Sequence, residues 1–253
     1  MFIVKMDTLI YKYTDLIGLK SILMNSTLKF TKPEEFNDPF EFHVNLVDTK
    51  LTKKHLRKIV KEREYNVNKE ELKHKIQIYE NNVFDFQESL KQHFLNKKQN
   101  TGICCFSEIS NNQLMWAHYS DKHKGACIGF SKQILYKNFK GGYQINKVKY
   151  SKKFRPKNLS KYREKAILHW IITKSNVWKY EKEIRIVSGQ NLAEFIKFNN
   201  SSIKKVIFGY NMKDDEKNDI EDIIFSKKGY NWIKTSEMKI SDKKFLLEEN
   251  DRR

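Results

Sequence analysis

The chain has 253 residues, of which 39% are hydrophobic and 13% aromatic, and its formal net charge is +18. This composition is typical of a globular protein and excludes a disordered chain. No apolar run reaches the roughly 18 to 20 residues of a membrane-spanning helix, and the first residues lack the basic-then-apolar pattern of a signal peptide. The three cysteines, two of them adjacent, are a poor disulfide framework, so we expect a cytoplasmic protein without a membrane partner.

The positive charge has two explanations. A field of this sign attracts polyanions, and nucleic acid is the first candidate. The sequence is also rich in Lys, Asn and Ile, as in organisms with AT-rich codons, and this bias alone raises the charge. The charge therefore permits a nucleic-acid partner but does not establish one.

The first 48 residues predict a strand, a helix, a short strand and a loop. Residues 8–14 form the first strand, and Asp15 is the N-cap of a helix that ends near Asn25. Residues 27–31 form the second strand. The loop contains the segment 36–42, Phe-Asn-Asp-Pro-Phe-Glu-Phe, in which Asn-Asp-Pro is typical of a turn because Asn and Asp side chains bond to nearby backbone. We expect the three Phe side chains to anchor this loop to a core.

Residues 49–98 differ from the rest of the chain because apolar residues recur there at helical spacing among many Lys, Arg and Glu. The pattern predicts two amphipathic helices with a break around Asn66 to Asn68. We interpret them as a helical insert whose apolar stripe packs into a core. The basic outer face is expected to be solvated, and contact with nucleic acid is the alternative.

The middle of the chain predicts a strand at 101–107, a short helix at 113–119 and a buried strand at 125–130. The short helix carries Trp116 and Tyr119, which either pack in the core or stack on a ligand ring. One hypothesis is that Cys105 is a nucleophile and that His118 or His123 is its base. We expect an inert thiol instead, because an apolar strand offers nothing that lowers its pKa.

The remainder alternates strands and helices irregularly. We predict a strand at 142–150, a basic stretch around Pro156, a helix at 162–174, a strand at 203–209, a helix at 214–225 and strands at 231–235 and 237–247. This order is typical of an α+β protein. We therefore expect residues 1–253 to form a single α+β domain with 49–98 as its insert.

The segment 178–187 predicts a strand with a charged first half and an apolar second half. Residues two apart share a face of a strand, so Glu181, Glu183 and Arg185 are expected in one row. Two neighbouring carboxylates repel each other, which raises the pKa of one, while the Arg keeps the other ionised. Such a trio can bind a polar ligand and stabilise positive charge. A solvated ladder of ion pairs is the alternative.

Several fragments occur in a defined order along the chain. They are Tyr-Lys-Tyr-Thr at 11–14, Phe-Asn-Asp-Pro-Phe-Glu at 36–41, Cys-Phe-Ser at 105–107, Met-Trp-Ala-His-Tyr at 115–119, Cys-Ile-Gly-Phe at 127–130, and Trp178, Glu181, Glu183 and Arg185. Together they resemble a widespread bacterial family that is labelled as a domain of unknown function and is often encoded near phage-defence genes. The resemblance covers about residues 9 to 210 outside the insert. It implies a toxin or defence effector with a defence-system or antitoxin protein as partner.

The architecture of that family is similar to that of ADP-ribosyltransferases, especially those that modify DNA or RNA ends. This similarity implies a central mixed or antiparallel split sheet, NAD as the substrate, no metal, and nucleic acid or protein as the acceptor. Cleavage of the nicotinamide–ribose bond passes through an oxocarbenium-like cation, which a carboxylate stabilises. The similarity implies a glutamate on a late strand in that role, and of Glu181 and Glu183 we choose Glu183, with the reverse order as the alternative. Glu181 then assists the acceptor or binds ribose, and Arg185 holds a phosphate or fixes Glu183.

The same similarity implies the residues that hold NAD. Tyr11, Lys12 and Tyr13 lie on the first strand, Asn37 and Asp38 line the pocket, and Trp116 or Tyr119 packs on nicotinamide. The related first strand is Tyr-His-Tyr-Thr, so Lys12 replaces a His. An ammonium only donates hydrogen bonds, whereas a neutral imidazole also accepts. Lys12 is nevertheless suited to a ribose hydroxyl or a phosphate.

Two other functions stay open at this point. One is a catalytically inactive module that binds a nucleotide or nucleic acid, favoured by Lys12 and by the charge of +18. The other is a nuclease that holds a divalent metal with Glu181, Glu183 and Asp38, since carboxylates suit Mg²⁺. The adjacent Arg185 argues against the nuclease.

Overall fold

A computed structural model of the protein describes residues 8–64, 66–139, 141–159, 163–189, 194–226 and 230–253. The strands in these ranges are β1 (Leu9–Thr14), β2 (Thr27–Lys29), β3 (Val47–Asp48), β4 (Gly102–Ser107), β5 (Ala126–Ser131), β6 (Tyr143–Lys147), β7 (Lys149–Ser151), β8 (Lys157–Asn158), β9 (Thr173–Ser175), β10 (Glu183–Ser188), β11 (Phe195–Lys197), β12 (Ile203–Phe208), β13 (Lys234–Ile240) and β14 (Leu247–Asp251). The helices are α1 (Leu16–Asn25), α2 (Lys53–Arg63), α3 (Lys69–Asn81), α4 (Val83–Gln99), α5 (Gln113–Tyr119), α6 (Lys132–Asn138), α7 (Arg163–Ile172) and α8 (Asp214–Ser226).

The chain divides into two compact units. The first consists of Met1–Thr31, Gly102–Val148 and Val177–Arg253, and the second of Lys32–Thr101 and Lys149–Asn176. The predicted insert at 49–98 is therefore one part of the second unit. No helix in the described ranges is long and apolar enough to cross a membrane.

The first unit is built on an eight-stranded sheet in the order β14-β13-β12-β5-β1-β4-β10-β6. The β12–β13 pair is parallel, and the other neighbouring strands are antiparallel. A second, two-stranded sheet pairs β2 with β11. The predicted α+β class is confirmed, with a large mixed sheet at its centre.

Both faces of the large sheet carry buried apolar side chains. One face contributes residues such as Ile10, Ile128 and Ile184 to the main core of the unit. Side chains of β1 and β5 on the other face, including Tyr13 and Cys127, pack with Trp116 of α5. Because both faces are covered, β5 is buried along its whole length and its sequence is a continuous apolar run.

Helix α1 follows the sequence prediction closely. The Asp15 side chain accepts a hydrogen bond from the Gly18 backbone N–H at 2.6 Å and caps the first turn. The helix ends where Ser26 adopts a left-handed conformation with φ of +55°. Leu19, Ile22 and Leu23 form its buried face, at the i, i+3, i+4 spacing that the sequence shows.

The second unit has an aromatic core. The Trp170 ring of α7 lies 5.2 Å from the Phe42 ring and 4.3 Å from the Phe94 ring, measured between centroids. The parallel pairs β3–β8 and β7–β9 add two short sheets. Phe42 is buried and its ring lies 5.9 Å from the Phe36 ring, but Phe40 is 55% exposed. The expectation that all three Phe side chains anchor the loop 36–42 is therefore wrong for Phe40.

Several predicted boundaries were wrong. The segment 49–98 forms three helices, because the chain breaks a second time at Asn82, whose side-chain amide donates to the Ile78 carbonyl at 2.9 Å. The strand expected at 142–150 is two strands, β6 and β7. The last two strands are β13 and β14, later in the chain than predicted. Residue 162, the expected start of the helix that corresponds to α7, lies outside the described residues.

Candidate active site

The centre of the candidate site is an ion pair on β10. The Arg185 guanidinium donates to both carboxylate oxygens of Glu183, through Nε to Oε1 at 2.7 Å and through the terminal NH2 nitrogen to Oε2 at 3.1 Å. Arg185 is 0% and Glu183 5% exposed. A bidentate pair of this kind fixes the plane of the carboxylate and stabilises its ionised form. The expected sharing of one strand face by Glu183 and Arg185 agrees with this geometry.

Glu181 belongs to a different element from the predicted one. Trp178 to Glu181 belong to a short 3₁₀ helix, Asn176–Glu181, and the strand begins only at Glu183. Lys182 between them has a left-handed φ of +44°, which interrupts the alternation of strand faces. The expectation of three charged residues in one strand row is therefore wrong for Glu181.

Two hydrogen bonds nevertheless hold Glu181 in place. The Tyr119 hydroxyl donates to Glu181 Oε1 at 2.6 Å, and the Ser107 hydroxyl donates to the Glu181 backbone carbonyl at 2.6 Å. Glu181 is 3% exposed. Tyr119 thus contacts a predicted catalytic carboxylate, whereas the family resemblance assigns it to nicotinamide.

The sheet register brings Tyr11 into the same row as Glu183. Ser107 of β4 is paired with Tyr11 of β1 on one side and with Glu183 of β10 on the other. Directly paired residues of antiparallel strands project from the same face. Tyr11, Ser107 and Glu183 therefore form one row across three strands.

Lys12 lies on the opposite face from Tyr11 and Tyr13, because side chains alternate along β1. Its Nζ donates to the Cys105 backbone carbonyl at 3.3 Å and lies 5.6 Å from the Phe106 ring centroid. The structure does not bring Lys12 together with the other two predicted NAD-binding residues of this strand. The alternation is visible in the sequence and is sufficient to separate them.

Tyr13 and Trp116 pack against each other in the core. Their ring centroids are 5.3 Å apart with the planes nearly perpendicular, at 81°. The Tyr13 hydroxyl donates to the Ile109 carbonyl and the Trp116 Nε1 donates to the Ser110 carbonyl. Trp116 is 0% exposed, so the packing alternative for this side chain agrees with the structure.

Three aromatic residues that the sequence did not assign to NAD form a group in the first unit. His118 lies 6.3 Å from Trp178 and 6.5 Å from Tyr180, and Trp178 lies 6.0 Å from Tyr180, all between ring centroids. His118 is also 6.2 Å from the ring of Tyr119, which holds Glu181. Trp178 and His118 both belong to the motifs of the family resemblance. Their proximity could not be predicted from the sequence, because they lie on segments that are distant along the chain.

Burial controls the ionisation of Cys105 and Tyr11. It raises the pKa of the Cys105 thiol well above its usual range, and the Glu183 carboxylate raises it further, while Arg185 offsets part of the effect. Burial also raises the pKa of Tyr11, with Cys127 and Glu249 adding to the shift. Cys105 is thus a neutral thiol at pH 7, in agreement with the expected inert cysteine, and Tyr11 is a neutral hydroxyl that can donate.

Asn37 and Asp38 belong to the second unit. Asp38 Oδ1 accepts from the Phe40 backbone N–H at 2.9 Å, which is the turn that the Asn-Asp-Pro sequence predicts. Asp38 is buried, Asn37 is exposed, and Asp38 Oδ2 has no hydrogen-bond partner among the described residues. Nearby in the sequence, Glu41 Oε1 lies 2.9 Å from Lys174 Nζ, and both side chains are buried.

Within the described parts of the chain, no group of three or more His, Cys, Asp or Glu side chains is arranged to hold a metal ion. The nuclease hypothesis rests on such a group and stays a sequence-based alternative.

The chain was compared with models of known protein families. A family model described as "Protein of unknown function (DUF2971)" matches residues 115–186, which include most of α5, all of β5 and the site residues Glu181, Glu183 and Arg185. No curated protein and no solved structure matches the chain significantly. Over residues 115–186 the chain is similar to an uncharacterised domain family, and this span contains the charged residues of the candidate site.

Proposed function

We propose that the protein cleaves the nicotinamide–ribose bond of NAD, as an ADP-ribosyltransferase or NAD glycohydrolase, with Glu183 as the catalytic carboxylate. The observation that carries the proposal is the buried, bidentate Glu183–Arg185 pair. Bond cleavage develops positive charge on the ribose, and a fixed anion in a site of low dielectric constant stabilises that charge more strongly than water does. Arg185 is then a positioning residue that fixes the orientation of Glu183.

Glu181 is the second carboxylate in this mechanism. Its Oε1 accepts from Tyr119 at 2.6 Å, and its own backbone is tied to Ser107 of β4. A carboxylate held in this way can accept a proton from the attacking hydroxyl of an acceptor or of water. Transfer of ADP-ribose to an acceptor and hydrolysis of NAD differ only in the attacking nucleophile. The proposal therefore covers both reactions.

Tyr11 supplies a neutral donor in the row that contains Glu183, since a tyrosine hydroxyl is protonated at pH 7 and burial raises the pKa of Tyr11 further. We assign it to a ribose hydroxyl. Lys12 has a different role from the one implied by the related Tyr-His-Tyr-Thr strand. Its bond to the Cys105 carbonyl ties β1 to β4, so Lys12 supports the sheet beneath the site.

The test is nicotinamide release by purified protein incubated with NAD, with and without total nucleic acid. Glu183→Gln should lower the rate by about 100-fold or more, as expected for loss of a charge that stabilises a transition state. Glu108→Gln is the matched control, since Glu108 is a more exposed carboxylate of the same unit that pairs with Lys147. It should leave the rate unchanged.

Glu183→Gln also removes one partner of a buried ion pair, so its thermal unfolding has to be compared with that of the wild type. Glu181→Gln gives a second route to the same conclusion, because it leaves the Glu183–Arg185 pair in place. NAD turnover unchanged in a folded Glu183→Gln protein would overturn the assignment.

A further inference from the structure

The segment 149–157 of the second unit contains a cluster of basic residues. Its five basic side chains are all exposed: Lys149, Lys152, Lys153, Arg155 and Lys157. The sequence contains no Asp or Glu from Gly141 to Leu159. The charges of this segment therefore have no acidic neighbours along the chain.

Exposed aromatic rings accompany these cations. Phe40 is 55% and Phe154 42% exposed, and their ring centroids are 6.3 Å apart. His43 stacks on Phe154 with centroids 4.8 Å apart and ring planes 23° apart. The two rings are neighbours rather than isolated, so together they present apolar surface beside lysines that a ligand can cover.

Phe40, Phe154 and two of the five cations, Lys152 and Lys153, line one cleft of about 220 Å³, which we name the 149–157 cleft. Its walls also contain the hydroxyl residues Ser151, Thr173 and Ser175, and Lys174. The side chain of Lys174 is buried and paired with Glu41, so the Glu41 charge is compensated. The hydroxyl groups add hydrogen-bonding capacity between the aromatic rings and the lysines.

Local hydrogen bonds fix the backbone that carries the cations. The Ser151 hydroxyl donates to the Lys153 carbonyl at 2.7 Å, and an imidazole nitrogen of His169 donates to the Arg155 carbonyl at 2.8 Å. Burial lowers the pKa of His169, with Lys157 and Lys149 adding to the shift, so the imidazole is neutral at pH 7. The cleft therefore exists before a ligand arrives and does not need to be ordered by binding.

We propose that the 149–157 cleft binds single-stranded nucleic acid, with bases stacking on Phe40 and Phe154 and phosphates lying against Lys152 and Lys153. Single strands expose both the bases and the backbone, and proteins that bind them combine aromatic platforms with a cationic groove. A duplex keeps its bases stacked inside and can use only the cations. The cleft is thus expected to prefer single strands to duplexes of the same sequence.

This cleft shares no residue with the proposed active site, and the inference does not depend on NAD turnover. If the enzyme proposal is correct, the cleft identifies nucleic acid as the acceptor class. If it fails, nucleic-acid binding by the cleft remains measurable. The two proposals therefore fail in different experiments.

The experiment is fluorescence anisotropy of the full chain with a labelled 20-nucleotide single strand of mixed sequence, over a series of salt concentrations. Phe154→Ala should weaken binding about tenfold, the effect of losing one stacked base. The double variant Lys152→Gln/Lys153→Gln should weaken it and lower the slope of log affinity against log salt by about 1.4, that is, about 0.7 for each phosphate that is no longer neutralised.

The matched control is Lys53→Gln/Lys54→Gln, an adjacent pair of exposed lysines at the start of α2. This variant removes the same charge from the chain and should leave the salt slope unchanged. Equal effects of the two lysine pairs would show that binding follows net charge alone and would overturn the proposal. So would equal affinity of the wild type for single strand and duplex.

Anionic phospholipid vesicles provide the last comparison, because exposed Phe and Lys also bind membrane surfaces. The proposal predicts that phosphatidylserine vesicles do not compete with the oligonucleotide. If the protein binds vesicles but not the oligonucleotide, and Phe154→Ala loses the vesicle binding, the proposal is overturned and the ligand of the cleft is a lipid surface.

Discussion

Each unit of the protein contains a buried ion pair, and the two pairs are assembled in different ways. Glu183 and Arg185 are two residues apart on β10 and share two hydrogen bonds. Glu41 and Lys174 come from distant parts of the sequence, and the Lys174 ammonium lies 2.9 Å from Glu41 Oε1. The first pair is encoded locally by strand alternation, whereas the second exists only after its unit has folded. A guanidinium fixes the plane of the first carboxylate, whereas the ammonium that pairs with the second is a point charge.

The largest expected effect comes from breaking the pair on β10. Arg185→Met leaves an ionised Glu183 buried without its guanidinium and should destabilise the protein by about 3 to 5 kcal/mol. The free energy of unfolding in urea measures this destabilisation. The double variant Glu183→Gln/Arg185→Met removes both charges and should be less destabilised than Arg185→Met. A double variant that is no more stable than Arg185→Met would contradict the proposed electrostatic cost.

A slightly smaller effect is expected for the pair in the second unit. Lys174→Met should cost about 3 kcal/mol, the lower end of the range for breaking a buried pair, because an ammonium is a point charge without the planar fork of a guanidinium. Adding Glu41→Gln should recover part of the stability, as seen by urea unfolding. NAD turnover should persist in the folded fraction of Lys174→Met, which distinguishes this pair from the one on β10.

Removal of the Tyr119 hydroxyl is expected to have a modest effect on stability. Tyr119→Phe deletes the 2.6 Å hydrogen bond to Glu181 and should cost about 1.5 kcal/mol, as for bonds to charged groups. The proposed role of Glu181 predicts an additional decrease of NAD turnover in this variant. The exposed Tyr210, which is not part of the site, gives the control variant Tyr210→Phe. A decrease of the same size in both variants would contradict the role of Tyr119.

The smallest expected effects are changes of the free energy of unfolding with pH, and they occur above and below pH 7. The pKa values of Cys104, Cys105 and Cys127 are raised, chiefly by burial, so the unfolded chain loses these protons before the folded protein does. This contribution to stability is complete below the ordinary thiol pKa of about 8.5 and decreases as the pH rises above it. Urea midpoints should therefore fall from about pH 9 upward.

On the acid side the signs are reversed. Burial lowers the pKa values of His123 and His169, so the unfolded chain takes up these protons first as the pH falls. Their contribution is complete above about pH 6.5 and decreases below it. Urea midpoints measured from about pH 5 to 10.5 should thus pass through a maximum. Midpoints that are constant from about pH 8.5 to 10.5 would contradict the burial of the thiols.

The sequence predicted the features that depend on local spacing. Helix α1 with its Asp15 cap, the buried run of β5 and the shared face of Glu183 and Arg185 follow from periodicities of 3.6 and 2 residues. The same alternation places Lys12 on the opposite face from Tyr11 and Tyr13. The resemblance of Tyr-Lys-Tyr-Thr to a related strand implies one site for all three residues, and the geometry of the strand does not allow it.

Other features could not be predicted because they depend on tertiary contacts. The left-handed conformation of Lys182 has no signal in the sequence, since Lys rarely adopts it, and it determines where β10 begins. The contact of Phe40 with Phe154 joins two loops that are more than a hundred residues apart. The basic stretch around Pro156 was visible, but its aromatic partners were not.

The most direct test of the proposed activity is nicotinamide release from NAD by the wild type, Glu183→Gln and Glu108→Gln, each shown to be folded by its thermal transition. We expect release by the wild type and by Glu108→Gln, and a rate reduced by about 100-fold or more in Glu183→Gln. Equal rates in all three proteins, or no release by the wild type with or without nucleic acid, would contradict the assignment of Glu183 as the catalytic carboxylate.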